Sequence, residues 1–126
     1  LDAERIPWII GIQHPREKNL QALRLPLSDV AISTSGDYER YFIDRSKGQV
    51  KRVHHILNPE TGAPTTGLVS ATVIGPLSVY CDALSTTLFV LGLSKGLELI
   101  NGLDQYEAVL IDAQGKLSYS DGLLEY

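Results

Sequence analysis

The chain contains one cysteine, Cys81, among 126 residues. An internal disulfide is therefore impossible, and cysteine usage leaves the redox compartment open. No apolar run reaches the roughly 18 residues that a transmembrane helix needs, and no signal peptide opens the chain. The first residue is Leu1 rather than Met, so we expect a processed or excised segment. In such a segment a missing signal says little about location.

Basic residues are also few: the chain has 11 Lys and Arg and 15 Asp and Glu, which gives a formal net charge of −4. This balance argues against a general nucleic-acid surface, which needs clustered Lys and Arg. No P-loop, dinucleotide-binding glycine motif, nucleophile elbow or Cys/His zinc spacing occurs either. The remaining composition, with 44% hydrophobic and 21% charged residues, is typical of a globular chain that buries a core. We expect residues 1–126 to form a single domain or a fragment of a larger one.

Short β-rich runs, separated by turn residues, dominate the chain. The runs predicted to be strands are Ile6–Gln13, Leu20–Leu27, Asp29–Gly36, Tyr41–Asp44, Val50–Leu57, Leu68–Pro76 and the two arms of a hairpin within Tyr106–Ser120. Pro26 makes the second run an edge strand, and the fourth and fifth runs are expected to pair as a hairpin.

Helical signals follow the sixth run. Ser78 is the expected N-cap of a first helix that ends before Gly92. Ser94 is the expected N-cap of a shorter second helix that ends before Gly102. Residues 83–94 carry no charge, and a helix that is apolar nearly all round is typically buried. We therefore predict the α+β class: two helices on a mostly antiparallel sheet that includes Val50–Leu57 and Leu68–Gly75.

One carboxylate lies in the apolar first helix. Asp82, Ser85 and Thr86 occupy positions i, i+3 and i+4, so their oxygens share one face. In one interpretation Asp82 caps the helix N-terminus, and the two hydroxyls bond back to the preceding turn. In the other, the carboxylate and hydroxyls form a site for a hard cation such as Mg²⁺. The spacing favours the capping interpretation and does not exclude the cation site.

Two histidines precede a turn-dense loop. In a strand, His54 and His55 point to opposite faces, so one of them can face a cleft. Pro59 and Gly62 favour a tight turn directly afterwards, although a histidine at a strand end is more often structural than catalytic. If this strand paired antiparallel with Leu68–Gly75, His55 and Asp82 would meet only across a cleft shaped by the helix or by a partner chain.

A hydroxyl-rich run, Ser33–Tyr38, ends in a glycine turn. It forms either an ordinary β-turn or a cradle of backbone N–H groups for a phosphate or a ring.

Three segments occur in a fixed order: ISTSGDYERYF, HHILNPETGAP and VSATVIGPLSVYCDALSTTLFVLG. From Trp8 to Asp112 the chain resembles the C-terminal part of the FAD:protein FMN transferases, the ApbE family. The resemblance implies a transferase with FAD as substrate and Mg²⁺ as cofactor. FAD is cleaved at its pyrophosphate, FMN is attached through a phosphoester to a Ser or Thr of an acceptor flavoprotein, and AMP leaves. Some members hydrolyse FAD instead.

Position by position, the resemblance implies that Asp82 and Thr86 are magnesium ligands. Ser85 is a third candidate ligand, at a position that is acidic in some members. His55 corresponds to a catalytic base or a substrate-orienting group. The implied FAD-binding positions are Ser35, Gly36, His55, Ile56 and Leu57.

Members of this family are much longer and carry further flavin-binding segments upstream. We therefore expect the C-terminal region of a flavin transferase, inactive as an isolated chain. The alternative is a non-catalytic α+β binding or interaction module that keeps the fold without turnover. Many relatives are exported lipoproteins, which implies a periplasmic or cell-envelope location, with membrane attachment only through an N-terminal anchor outside these residues.

Overall fold

The computed structural model describes residues 6–38, 41–44, 51–62, 65 and 67–125. The described residues form the following elements in chain order: β1 (Trp8–Gln13), β2 (Gln21–Leu27), β3 (Ala31–Gly36), β4 (Tyr41–Asp44), β5 (Lys51–His54), β6 (Leu68–Gly75), α1 (Ser78–Leu91), α2 (Leu93–Asn101), β7 (Glu107–Asp112), β8 (Leu117–Tyr119) and a 3₁₀ helix (Asp121–Glu125). The predicted α+β class is confirmed. No helix within these ranges is long and apolar enough to cross a bilayer.

The largest sheet is antiparallel and has the strand order β3-β6-β7-β8. Every residue of β6 is buried, as expected for a strand with neighbours on both edges. Strand β3 pairs with β6 from Ala31 opposite Gly75 to Gly36 opposite Ser70. Its other edge has no strand neighbour among the described residues. The end of β3 at Gly36 therefore lies at the edge of the sheet, beside α1.

Helix α1 packs on β3 and β6 and forms the core together with α2 and β7. The fully buried core side chains are Ala71, Val73, Cys81, Leu88, Phe89, Ile100, Ala108 and Leu110. Burial raises the pKa of the Cys81 thiol, so this residue behaves as a small apolar side chain. Helix α1 ends at Leu91, and Gly92 follows with φ 85° and donates its N–H to the carbonyl of Leu88. The predicted end of α1 is confirmed, since a left-handed residue past the last turn favours glycine.

The predicted membership of the main sheet is wrong for one strand. Strand β5, within the predicted run Val50–Leu57, pairs with β4, which confirms the predicted hairpin, but the two strands form a separate two-stranded sheet. Both edges of β6 are already taken by β3 and β7, so β5 finds no place beside it. Strands β1 and β2 also form their own antiparallel pair, with Pro26 in an edge strand as predicted.

Three helix details also differ from the sequence prediction. Helix α1 begins at Ser78 itself, with Leu77 at the N-cap and no side-chain cap. Ser94 lies inside α2, whose N-cap is Gly92. Helix α1 is not buried all round, because eight of its 14 residues are exposed. Only one side contacts the sheet, and a lack of charge on the other side does not require burial, since much of a protein's surface is apolar.

We expect Leu88→Ala to lower the free energy of unfolding by about 2–5 kcal/mol, because it opens a cavity at a fully buried position. Leu91→Ala is the matched control in the same helix. Leu91 is 39% exposed, so its truncation leaves no closed cavity and costs clearly less. Urea unfolding of both variants measures the difference, and equal losses would contradict this packing of α1.

Candidate functional site

A cavity of about 440 Å³ lies where the end of β3, the middle of α1 and the segment after β5 meet. Its lining residues are Thr34, Ser35, Gly36, His55, Ile56, Leu57, Asp82 and Thr86. They come from three segments that are far apart in the sequence. Every candidate site residue from the sequence except Ser85 lines this cavity.

Strand β3 supplies the first wall. Ser33 and Ser35 are two residues apart, so both side chains point to the same side of the strand, toward α1. The Ser35 Oγ lies 2.8 Å from the Ser85 Oγ and 2.9 Å from the Thr86 Oγ1. The intervening Thr34 turns to the other face of the sheet, where its Oγ1 lies 2.8 Å from the Oγ1 of Thr72. The strand therefore presents hydroxyl groups to the helix along one edge.

Helix α1 supplies the second wall. Asp82 is the fifth residue of α1, and the first turn, described throughout, holds no acidic residue. The capping interpretation of Asp82 is therefore wrong. Its carboxylate is exposed, and within the described residues it accepts one hydrogen bond, from the Ser33 hydroxyl at 3.5 Å. Thr86 lies one turn later on the same side of the helix and is exposed as well.

Ser85 lies behind this wall. It is fully buried and does not line the cavity. Its hydroxyl donates to the main-chain carbonyl of Asp82 at 2.9 Å, which is the bond to the preceding turn that the spacing predicted. Thr86 makes no such bond and reaches across to Ser35 instead.

The third wall is the segment that starts at His55. The His55 side chain is exposed and lines the cavity, whereas Ile56 is anchored in the core at 6% exposure. The turn that follows is tight, because the Asn58 carbonyl accepts the N–H of Gly62 at 2.8 Å. Gly62 has φ 69°, a left-handed value that glycine adopts readily, and the predicted tight turn is confirmed. The anchored Ile56 and the tight turn, both after His55, therefore fix where the chain leaves its strand.

His55 and Asp82 line the same cavity, although His55 follows β5 and Asp82 lies in α1, which packs on a different sheet. The antiparallel pairing of β5 with β6 that would have separated them does not exist. The side chain of His54 lies outside the described residues.

Two contacts at the site were not predicted from the sequence. Arg16 and Asp37 form a bidentate ion pair, with N–O distances of 2.6 and 2.7 Å, in which the Asp37 side chain is 8% exposed. This pair fixes the turn directly after Gly36. Its two residues are 21 positions apart in the sequence, and no motif connects them. Ser33, in contrast, could have been found by continuing the two-residue alternation of β3 upstream from Ser35.

The side chains that line the cavity provide only part of a binding site for a hard cation. No group of three or more His, Cys, Asp or Glu in the described ranges could hold a metal ion. Asp82 and Thr86 nevertheless offer a carboxylate and a hydroxyl oxygen on one exposed side of α1, facing the cavity. Oxygen donors of this kind suit Mg²⁺, which completes its coordination shell with water and substrate phosphate.

The model of the ApbE family matches residues 2–110 of the chain. The FAD:protein FMN transferase of Treponema pallidum is 34% identical over 125 residues, which cover 98% of this chain and 33% of the relative. The FAD:protein FMN transferase of Salmonella typhimurium is 39% identical over 103 residues, which cover 79% of this chain and 28% of the relative. The chain thus spans about a third of the length of these curated relatives.

Solved structures of similar proteins share the fold. The ApbE protein of Thermotoga maritima superposes with a TM-score of 0.83 at 31% identity, over 97% of this chain and 38% of that one. The flavinyl transferase ApbE of Pseudomonas stutzeri, in its apo form, gives a TM-score of 0.68 at 36% identity, over 94% of this chain and 36% of that one.

We expect Gly62→Ala to destabilise the turn after His55 by about 1–2 kcal/mol, because an L side chain is disfavoured in the left-handed region. Nothing lies within 4 Å of the added Cβ, so the cost is one of backbone conformation alone. Gly102→Ala is the control, since φ −83° there is an ordinary helical value, and alanine is neutral or stabilising at such a position. Urea unfolding compares the two variants, and equal effects would contradict the left-handed turn.

Proposed function

The chain belongs to the ApbE family, and we propose that it is the C-terminal region of an FAD:protein FMN transferase. One observation carries this proposal: a single cavity gathers Ser35 and Gly36, the segment His55–Leu57, and the Asp82–Thr86 side of α1. A site that transfers a phosphoryl-linked group needs charge-neutralising ligands and a proton acceptor together. The three walls of the cavity bring these two kinds of group into one place.

In the proposed reaction a Ser or Thr hydroxyl of an acceptor flavoprotein attacks the phosphorus on the FMN side of the FAD pyrophosphate. The new bond joins the acceptor oxygen to this phosphorus as a phosphoester. The phosphorus–oxygen bond to the AMP half breaks, and AMP leaves with the electron pair. The acceptor hydroxyl loses its proton, so the site needs a group that can take it.

His55 is the proposed proton acceptor, or the group that orients the acceptor hydroxyl. An imidazole can take a proton when it lies within hydrogen-bond reach of the reacting group. His55 lines the cavity and is exposed to it. The tight turn from Asn58 to Gly62 holds the chain next to it, and a fixed position of this kind reduces the entropy that a reaction must lose.

Asp82 and Thr86 are the proposed residues that hold Mg²⁺. Their oxygens face the cavity, and the carboxylate has only a long contact with Ser33 within the described residues. When bound, Mg²⁺ neutralises the charge of the pyrophosphate. We do not assign Ser85 as a direct ligand, because its buried hydroxyl already contacts Ser35 and the Asp82 carbonyl.

The remaining lining residues are proposed to bind FAD. Ser35 and Gly36 lie at the end of β3, and the ion pair of Asp37 with Arg16 fixes the turn beyond them. At Gly36 an added Cβ would collide with the ring of Tyr38, so no side chain fits between strand and turn. Leu57 is 51% exposed at the cavity and offers apolar surface for the flavin ring.

We expect Asp82→Ala in the full-length protein to abolish Mg²⁺-dependent release of AMP from FAD while the protein stays folded. Asp82 is exposed and does not cap α1, so its loss removes a ligand rather than a support of the fold. Glu98→Ala, at an exposed carboxylate of α2, is the matched control and should keep activity. AMP release and the melting temperature are measured on the same samples. An Asp82→Ala protein that releases AMP at the normal rate would remove Asp82 from the site.

We expect His55→Ala in the full-length protein to slow FMN transfer by about 10²–10⁴-fold, the usual contribution of a general acid or base. His54→Ala is the control, because it removes the same kind of side chain at the adjacent position and should have little effect. Transfer is followed by the flavin fluorescence of the acceptor protein after denaturing electrophoresis. Small and equal effects of the two changes would exclude a catalytic His55.

A further inference from the structure

A line of hydroxyl groups runs from the cavity into α1. The Thr86 Oγ1 lies 2.9 Å from the Ser35 Oγ, which lies 2.8 Å from the Ser85 Oγ. The Ser85 Oγ in turn lies 2.9 Å from the main-chain carbonyl oxygen of Asp82. We call these three contacts the hydroxyl relay. It starts at one proposed magnesium ligand, Thr86, and ends on the backbone of the other, Asp82.

The direction of the relay follows from counting hydrogens. Each hydroxyl has one hydrogen to donate, and a carbonyl oxygen only accepts. The relay has three contacts and three hydroxyl hydrogens, so each contact contains one of them. The carbonyl of Asp82 must therefore accept from Ser85.

Because Ser85 donates to that carbonyl, it has no hydrogen left for Ser35 and must accept from it. Ser35 then accepts from Thr86. The reverse direction would leave the Ser85 oxygen against the Asp82 carbonyl at 2.9 Å with no hydrogen between them. Two oxygens at this distance with no hydrogen between them repel each other, and Ser85 is fully buried, so no solvent separates them.

We propose that the hydroxyl relay makes Thr86 an acceptor only, with its hydrogen directed into the protein and its oxygen lone pairs directed into the cavity. This inference rests on the proposed function, in which Asp82 and Thr86 hold Mg²⁺. Ser35 and Ser85 are then positioning residues, since they set the polarity of the Thr86 hydroxyl without contacting the cation. Ser85 thus affects the metal site without lining the cavity. The family resemblance, in contrast, implies that Ser85 is a direct ligand.

A fourth hydroxyl follows the same pattern. Ser33 donates its hydrogen to the Asp82 carboxylate at 3.5 Å, so the hydrogens of Ser33, Ser35, Ser85 and Thr86 all have acceptors within the protein. The wall therefore presents oxygen lone pairs to the cavity beside a carboxylate. Such a surface attracts a cation, whereas a hydroxyl hydrogen pointing outward would repel it.

The test measures binding of the metal alone to the full-length protein, by titration with Mn²⁺ as a paramagnetic probe and competition with Mg²⁺, in the absence of FAD. Ser85→Ala removes the acceptor of the Ser35 hydrogen. That hydrogen can then turn to Thr86, whose own hydrogen turns toward the cavity. We expect the dissociation constant for Mn²⁺ to rise about 10–100-fold, the usual effect of losing a group that orients a metal ligand.

Thr87→Ala is the matched control. The Thr87 hydroxyl also donates to a main-chain carbonyl of α1, that of Ala83 at 2.8 Å, but it lies outside the relay. Loss of either hydroxyl removes one bond to a main-chain carbonyl of α1, so a role limited to that bond would affect metal binding equally in both variants. We expect Thr87→Ala to bind Mn²⁺ like the unchanged protein. Ser35→Ala should weaken binding as Ser85→Ala does, and Ser35→Thr, which keeps the hydroxyl, should restore it.

Asp82→Ala separates the relay from the metal site itself. If Asp82→Ala loses Mn²⁺ while Ser85→Ala and Ser35→Ala bind it as Thr87→Ala does, the relay is refuted and the proposed metal site stands. If Asp82→Ala binds Mn²⁺ as tightly as the unchanged protein, the proposed metal site fails and the relay fails with it. Melting temperatures of all variants identify any loss of fold, and Ser35→Thr supports the relay independently should Ser85→Ala unfold.

Discussion

The candidate site depends on how α1 lies against the edge strand β3. A helix that packs on a sheet usually meets it with apolar side chains, and Cys81, Leu88 and Phe89 do so here. At the edge of that contact the apolar groups give way to hydroxyls, which pair between strand and helix. The buried hydroxyl of this contact, that of Ser85, is tolerated because it bonds to Ser35 and to the Asp82 carbonyl. The same contact therefore both anchors the helix and aligns the oxygens beside the cavity.

Local signals in the sequence were enough to predict the helix and the central strand. The strand Leu68–Gly75 and the helix end at Leu91 lie where they were predicted, whereas the helix begins at Ser78 itself rather than after it. A glycine stop and a run of apolar β-branched residues act within a few positions. The sequence also predicted that Asp82, Ser85 and Thr86 share one face of the helix, but residues on one face can differ in exposure. At about 100° per residue, Ser85 and Thr86 lie on opposite sides of Asp82. Strand β3 covers Ser85 and leaves the other two open.

Long-range pairing could not be predicted in the same way. The hairpin of β4 and β5 was predicted and is confirmed, but the sequence also placed β5 beside β6, and both edges of β6 belong to other strands. Strand composition says that a run pairs, but the choice of neighbour depends on chain far away in sequence. The ion pair of Arg16 and Asp37 has the same character, since nothing near either residue indicates the other. These are also the features that bring His55 to the cavity and fix the turn after Gly36.

The three walls of the cavity thus differ in origin. The walls of β3 and α1 are made by tertiary packing across about fifty residues of sequence, as the Ser35–Ser85 separation of 50 indicates. The wall that carries His55 is made by a tight local turn, closed by Asn58 and Gly62, and by Ile56 anchored in the core. The oxygens proposed to hold the cation belong to α1, and the proposed proton acceptor belongs to the wall that carries His55. Because different forces hold these walls, loosening the turn after His55 should disturb proton transfer before it disturbs metal binding. A change in the hydroxyls between β3 and α1 should do the reverse.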